Sequence, residues 1–187
     1  MTFFFNKNNQ INTTLEGIKN GSTKALKHIF SLYSERLFYY AIKFVNSPEI
    51  AEEIVQDVFI AIWENRKILN IRSSLESYLY TSVKNRSLSY LRKKISGIET
   101  GDISYANNIP DQIRTDAPVE YTELNNELKR VIDSLPERCK IIFTLSRNSG
   151  LTYKQIADEL NISPESVKTQ IGIALSKLKK HLEKIRE

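Results

Sequence analysis

From Leu151 to Leu178 the sequence reads LTYKQIADELNISPESVKTQIGIALSKL, and few backbones satisfy it. Thr152 and Gln155 stand in the T-x-x-Q relation of a capping box, each able to satisfy a free N–H of the other at a helix start. The helix they open, YKQIADEL, is short and stops at Asn161, which tolerates the left-handed conformation of a tight turn. Ser163 is a second N-cap, worth on the order of 1 kcal/mol against alanine. Pro164 fits the first helical position, where its missing N–H costs nothing and its fixed φ suits the helix. Ala157 is the small residue needed where two helices come close. Ile156, Leu160, Ile162 and Val167 are the apolar residues that fix the crossing. A short helix, a three-residue turn and a long helix make the helix-turn-helix pattern. Glu165, Lys168, Thr169 and Gly172 face outward at the start of the second helix. In a recognition helix they enter the major groove, and the backbone amides beside them suit a phosphate. Gly172 costs helix stability up to about 1 kcal/mol, which close approach to a DNA backbone would explain.

The rest of the chain is also patterned for helices, so the expected fold class is all-α. Its 187 residues have room for one or two domains. Hydrophobic residues at 41% and charged residues at 26% suit a globular protein, and no apolar run approaches a bilayer span. The single cysteine, Cys139, excludes an internal disulfide and a cysteine-rich zinc site, and is expected to be packed. A cytoplasmic location follows. The start, MTFFFNKNNQ, lacks a basic n-region and reads as a frayed or loosely docked tail, residues 1–19, rather than a signal peptide. Gly97, Gly101, Pro110 and Pro118 interrupt residues 95–118, which carry four acids against Arg114. That stretch reads as an acidic linker, 96–118, between helical domains at 20–95 and 119–187.

Charge comes in blocks. Residues 49–64 hold Glu49, Glu52, Glu53, Asp57 and Glu64 and no base, whereas 81–94 hold Lys84, Arg86, Arg92, Lys93 and Lys94 and no acid. Separate faces for separate partners are implied. In the first domain, Leu26, Ile29, Phe30, Tyr33, Leu37, Tyr40, Ala41 and Phe44 recur at helical spacing. Ser47 and Pro48 then start a helix whose core stripe is Ala51, Ile54, Val55, Val58, Ala61 and Ile62; Phe59 and Trp63 are expected in the core as well. Glu53, Gln56, Asp57, Ile60 and Glu64 form a second stripe. Composition leaves that stripe either wetted or docked on a basic partner. In the next helix Leu75, Leu79, Val83 and Leu91 face inward, while Tyr78, Thr81, Asn85, Ser89 and Arg92 share another face. Ring, hydroxyl, amide and guanidinium groups suit single-stranded nucleic acid, though a solvated basic helix would carry the same residues. In the second domain Leu124, Leu128, Val131, Ile132 and Leu135 form a core stripe. Val167, Ile171, Ala174, Leu175, Leu178, Leu182 and Ile185 hold the last helix to it.

Four motifs, AEEIVQDVFIAIW, SYLYTSVKNRSLSYLRKK, DSLPERCKIIFTLSRNSGLTYKQIADELNIS and ESVKTQIGIALSKLK, stand in the order and spacing of a known family. Over residues 22–187 the chain resembles the extracytoplasmic-function (ECF) sigma factors of bacterial RNA polymerase, in the sigma-70 family. The resemblance implies a sigma region 2-like domain and a region 4-like domain. It implies that Glu53, Gln56, Asp57 and Ile60 dock on the β′ clamp of core polymerase, and that the β flap of polymerase is a partner as well. Ile71, Arg72, Ser73, Tyr78, Thr81, Lys84, Asn85, Ser89, Arg92, Lys93 and Lys94 would hold the minus-10 element, with a base flipped from the stack. Thr152, Ser163, Glu165, Ser166, Lys168, Thr169 and Gly172 would hold the minus-35 element. A membrane-bound anti-sigma factor is the implied regulator, with sequestration at the inner membrane. Ser89 stands where many relatives carry Asp, and Gln170, Gly172, Ile173 and Leu175 stand where many carry Arg or His, so the promoter sequence does not carry over.

Nothing points to an enzyme. His28 and His181 lie in separate domains, and there is no Gly-rich phosphate loop or spaced carboxylate pair. No catalytic residue, metal ligand, cofactor or small-molecule substrate is expected. A free-standing helix-turn-helix regulator leaves the acidic face at 49–64 without a task. A helical adaptor that binds only protein leaves the Ser-Pro capped helix without one.

Overall fold

A computed structural model describes residues 13–71, 74–97 and 127–186, and side chains as far as residue 183. Among the described residues every regular element is helical. Six helices follow in order: α1 (Thr23–Val45), α2 (Pro48–Glu64), α3 (Leu75–Ile95), α4 (Glu137–Asn148), α5 (Tyr153–Leu160) and α6 (Pro164–Arg186). Helical backbone is also present over 13–19 and 127–133. The chain forms two compact units, Met1–Ile42 with Ser47–Ser87, and Lys43–Asn46 with Leu88–Glu187; α3 runs unbroken through the division. The expected linker beyond Gly97 and Leu124 of the expected core stripe lie outside the described residues.

In the first unit, Ile29, Tyr33, Leu37 and Ala41 recur every fourth residue on α1 and are buried. Ile54, Val55, Val58, Phe59 and Ile62 of α2, and Leu75, Leu79 and Val83 of α3, are buried as well. Edge-on ring pairs tie the helices: Phe30 with Phe59 at 4.9 Å, and Tyr40 with Tyr80 at 4.9 Å. Two residues suffice to turn α1 into α2. Asn46 takes the left-handed region at φ 50, and the Ser47 hydroxyl accepts from the Ile50 amide at 3.4 Å while donating to Glu49 at 2.8 Å. At the start of α3, Ser74 Oγ accepts from the Ser77 amide at 3.1 Å.

Residues 1–12 of the expected N-terminal tail lie outside the described residues, and the expectation is corrected only over 13–19. Residues 13–19 are helical, and Ile18 is buried in the core rather than frayed. A Cβ on Gly17 would stand 3.1 Å from the Cβ of Ala25, so glycine lets this turn settle closely on α1. Phe30 departs too: it is 42% exposed, because the Ile29-to-Ala41 row already occupies the core and Phe30 lies a 100° step around the helix. Trp63 is half-buried beneath the Arg66 guanidinium, 4.5 Å from the ring centroid.

In the second unit, Leu135, Cys139, Phe143 and Ala174 form one buried cluster, with Ile132 and Leu178 against it. Cys139 donates to the Gln170 carbonyl at 3.1 Å, and burial pushes its thiol pKa up. The expected seam on α6 is narrower than its sequence suggests. Val167, Ile171 and Ala174 are buried, whereas Leu175 and Leu182 are 44% and 37% exposed. Leu175 lies about 40° beyond Ile171 around the helix, whereas Leu182 is within about 20° of Ile171 in angle but stands about three turns further along.

Ser87 is fully buried on α3, and among the described residues its hydroxyl has no hydrogen-bond partner. An unsatisfied buried hydroxyl costs about 1–3 kcal/mol, and alanine is also the better helix former. Ser87→Ala is therefore expected to stabilise the protein by about 1 kcal/mol, read as a higher urea midpoint at unchanged slope.

Candidate nucleic-acid and partner-protein interfaces

The helix-turn-helix is assembled by local hydrogen bonds. The Thr152 hydroxyl accepts from the Gln155 amide at 3.2 Å, and the Gln155 side chain accepts from the Thr152 amide at 2.9 Å. Asn161 ends α5 at φ 54, ψ 48, and the Ile162 amide reaches back to the Ala157 carbonyl at 3.0 Å. Ser163 caps α6 by accepting from the Ser166 amide at 3.1 Å. Ile156, Ala157, Leu160 and Val167 are buried where the two helices cross. Thr152, Ser163, Glu165, Lys168, Thr169 and Gly172 are exposed, and Ser166 is half-buried. The Thr169 hydroxyl donates to the Glu165 carbonyl at 2.9 Å, so it is already engaged with its own helix. A Cβ on Gly172 would meet nothing within 4 Å among the described residues, so none of these makes a demand for glycine there.

On α2, Glu53, Gln56, Asp57 and Glu64 are exposed and Ile60 is 53% exposed. They share one face, and Gln56 donates to Glu52 at 3.1 Å. Beside this face lies an open groove of about 240 Å³ that the sequence did not reveal. Its α1 wall is Phe30, Ser34, Glu35 and Phe38; its α2 wall is Glu52, Val55 and Gln56. Apolar floor and acidic rim together suit a basic, amphipathic protein element. Phe30, Ser34 and Phe38 recur every fourth residue, and that second stripe on α1 was the signal available in the sequence.

On α3, Thr81 and Asn85 are exposed, and Tyr78, Lys84 and Ser89 are half-buried along the same length of helix. Ile71 is half-buried; Arg72 and Ser73 lie outside the described residues. Arg86, which the periodicity did not single out, lies 3.3 Å from Asp57. That pair links the helix with the acidic face to the helix with the aromatic and amide face. Lys93 is exposed. Within the second unit, Arg92 donates to the Glu159 carbonyl at 3.2 Å, and Lys94 pairs with Glu137 at 2.8 Å.

His181 lies 3.1 Å from Glu127 and is half-buried, while His28 is exposed. Among the described residues no group of three or more His, Cys, Asp or Glu is placed to hold a metal ion. No described helix is long and apolar enough to cross a membrane.

Comparison with known proteins returns the same two halves. The Sigma-70 region 2 family model matches residues 29–95, and the Sigma-70, region 4 model matches residues 125–178. Together they take in more than half of the chain. The ECF RNA polymerase sigma factor SigW of Bacillus subtilis (strain 168) is 25% identical over 181 residues, covering 92% of this chain and 96% of the relative. The ECF RNA polymerase sigma factor RpoE of Cereibacter sphaeroides is 26% identical over 160 residues, covering 84% and 86%. Among solved structures, the sigma factor RpoE in complex with the anti-sigma factor NepR from Bartonella quintana is 21% identical over 86% of this chain and 98% of that one, at a TM-score of 0.45. This chain belongs to the ECF group of the sigma-70 family of RNA polymerase sigma factors.

Proposed function

We propose that the chain loads onto core RNA polymerase through the α2 face of Glu53, Gln56, Asp57 and Ile60 together with the groove beside it. It then directs initiation by holding two promoter elements. The first domain, 20–95, takes the minus-10 element along Tyr78, Thr81, Lys84, Asn85 and Ser89, with Ile71 to Ser73 and Arg92 to Lys94 at its ends. The second domain, 119–187, takes the minus-35 element at the start of α6 and meets the β flap of polymerase. The observation that carries this reading is the presence of three unlike exposed faces in one chain: acidic and apolar on α2, aromatic and amide on α3, capped and polar on α6. A free-standing regulator needs only the last. A factor that acts on chromosomal promoters would act in the cytoplasm, with a membrane-bound anti-sigma protein as its expected regulator.

Core polymerase loaded with this chain is expected to select, from a random duplex pool, DNA carrying two short motifs about two helical turns apart, and to open it. Selection of a single motif, equally well without core polymerase, would instead support the free-standing regulator.

A further inference from the structure

The basic end of α3 is held by acids of the second unit. Arg92 donates to the Glu159 carbonyl at 3.2 Å and stands 3.9 Å from the Glu159 carboxylate. Lys94 pairs with Glu137, the first residue of α4, at 2.8 Å. Lys93, between them, is exposed. Glu159 is next to last in α5, where the helix dipole disfavours an acid and the last carbonyls lack intrahelical donors. The amides of Ile162 and Asn161 reach back to the carbonyls of Ala157 and Asp158. Arg92 serves the Glu159 carbonyl, and brings the positive charge that this helix end favours.

Arg92 and Lys94 are also cations that take minus-10 phosphates in the proposed function. A carboxylate and a phosphate offer a guanidinium or an ammonium the same anionic oxygens, so Glu159 and Glu137 stand where two phosphates would bind. Distance adds a second conflict. Glu159 precedes Ser163, the cap of α6, by four residues, and four residues of chain span at most about 14 Å. Arg92 is thereby held within roughly 20 Å of the start of the helix that takes the minus-35 element. Promoter elements two helical turns apart lie about 70 Å apart along the duplex. The two elements cannot both be gripped while these contacts stand.

Resting on the sigma reading above, we propose that Glu137 and Glu159 are phosphate mimics that clasp the Arg92–Lys94 end of α3 in the free chain and release it when the chain takes its place on polymerase and promoter. The full chain tests this without polymerase, by anisotropy with a labelled DNA single strand of mixed sequence. Glu137→Gln with Glu159→Gln keeps the shape of both side chains and removes both charges. Asp158→Asn with Glu183→Gln makes the same change of net charge at an exposed neighbour of Glu159 and at the partner of Lys179, neither of which touches α3. Both ion pairs are partly exposed, so each is worth a few-fold: the clasp variant is expected to bind the strand about tenfold more tightly than wild type, and the control variant within about twofold of it. The single variants Glu137→Gln and Glu159→Gln, at about threefold each, carry the test if the double variant melts early. Loaded on core polymerase, where the clasp is open, the clasp variant should open a promoter selected by the wild type at a rate within about twofold of wild type, followed by 2-aminopurine fluorescence. Equal affinities for the clasp and control variants, whether raised or unchanged, overturn the clasp. A clear change in the opening rate assigns the two acids to the initiation complex and overturns it too. Failure of the wild type itself to open any promoter overturns the sigma reading instead.

Discussion

Asp57→Lys is expected to lower the affinity of the chain for core RNA polymerase by about a hundredfold or more while leaving it folded. Asp57 is exposed on α2 beside Gln56, at the centre of the stripe from Glu53 to Ile60. The adjoining groove adds Glu35 and Glu52 to its rim, so the complementary surface must be basic. A lysine there meets like charge, which costs several kcal/mol at a protein interface, and each 1.4 kcal/mol is about tenfold in affinity. The same substitution also removes the Arg86 pair at 3.3 Å. With side chains 40% and 51% exposed, that pair is worth at most about 1 kcal/mol of stability. Arg86→Ala separates the two effects, since it removes the ion pair and leaves the α2 face intact. It should keep near wild-type affinity for core polymerase. Anisotropy titration of labelled chain with core polymerase, alongside thermal melts, reads both quantities. An Asp57→Lys chain that binds core polymerase as tightly as wild type would remove α2 from the interface.

What could be read in advance follows the distance between partners. The capping box of Thr152 and Gln155, the Asn161 turn and the Ser163 cap all join residues within four or five positions, and their geometry is encoded by residue type. Asn46 makes the α1–α2 turn in the same left-handed region as Asn161, and the same rule would have found it. The exposed polar stripe on α2 was legible from its period, and so were Leu79 and Val83 as core. Features made by two helices were not. The groove needs α1 and α2 side by side, and Asp57 meets Arg86 across 29 positions. Periodicity also overstates a core when a stripe is broad. Phe30, Leu175 and Leu182 sit at permissible angles, yet their neighbours fill the contact and leave them in water. Ile18 shows the reverse error, because one buried anchor in a short turn gives too little pattern to separate it from a tail.

Ile142→Ala is expected to cost about 2–5 kcal/mol, the largest stability loss among these substitutions. Ile142 is fully buried in α4, and α4 contacts both α5 and α6. Truncation removes apolar burial and leaves a cavity that two helices fixed by caps at both ends of a short turn cannot readily close. Against a typical domain stability of about 5–15 kcal/mol, the loss leaves little margin at elevated temperature. No residue of the proposed minus-35 contact is altered: Glu165, Lys168, Thr169 and Gly172 remain on the exposed side of α6, away from the buried row of Val167, Ile171 and Ala174. Binding should therefore be lost by unfolding rather than by a missing contact. Affinity for minus-35 DNA should stay near wild type at low temperature and collapse as the variant melts. Lys168→Ala should instead weaken binding at every temperature with an unchanged melt, since its exposed side chain carries charge and no core contact. Parallel DNA titrations and thermal melts distinguish the two. A temperature-independent loss of affinity in Ile142→Ala, with its melt unchanged, would mean that α4 does not set the position of the recognition helix.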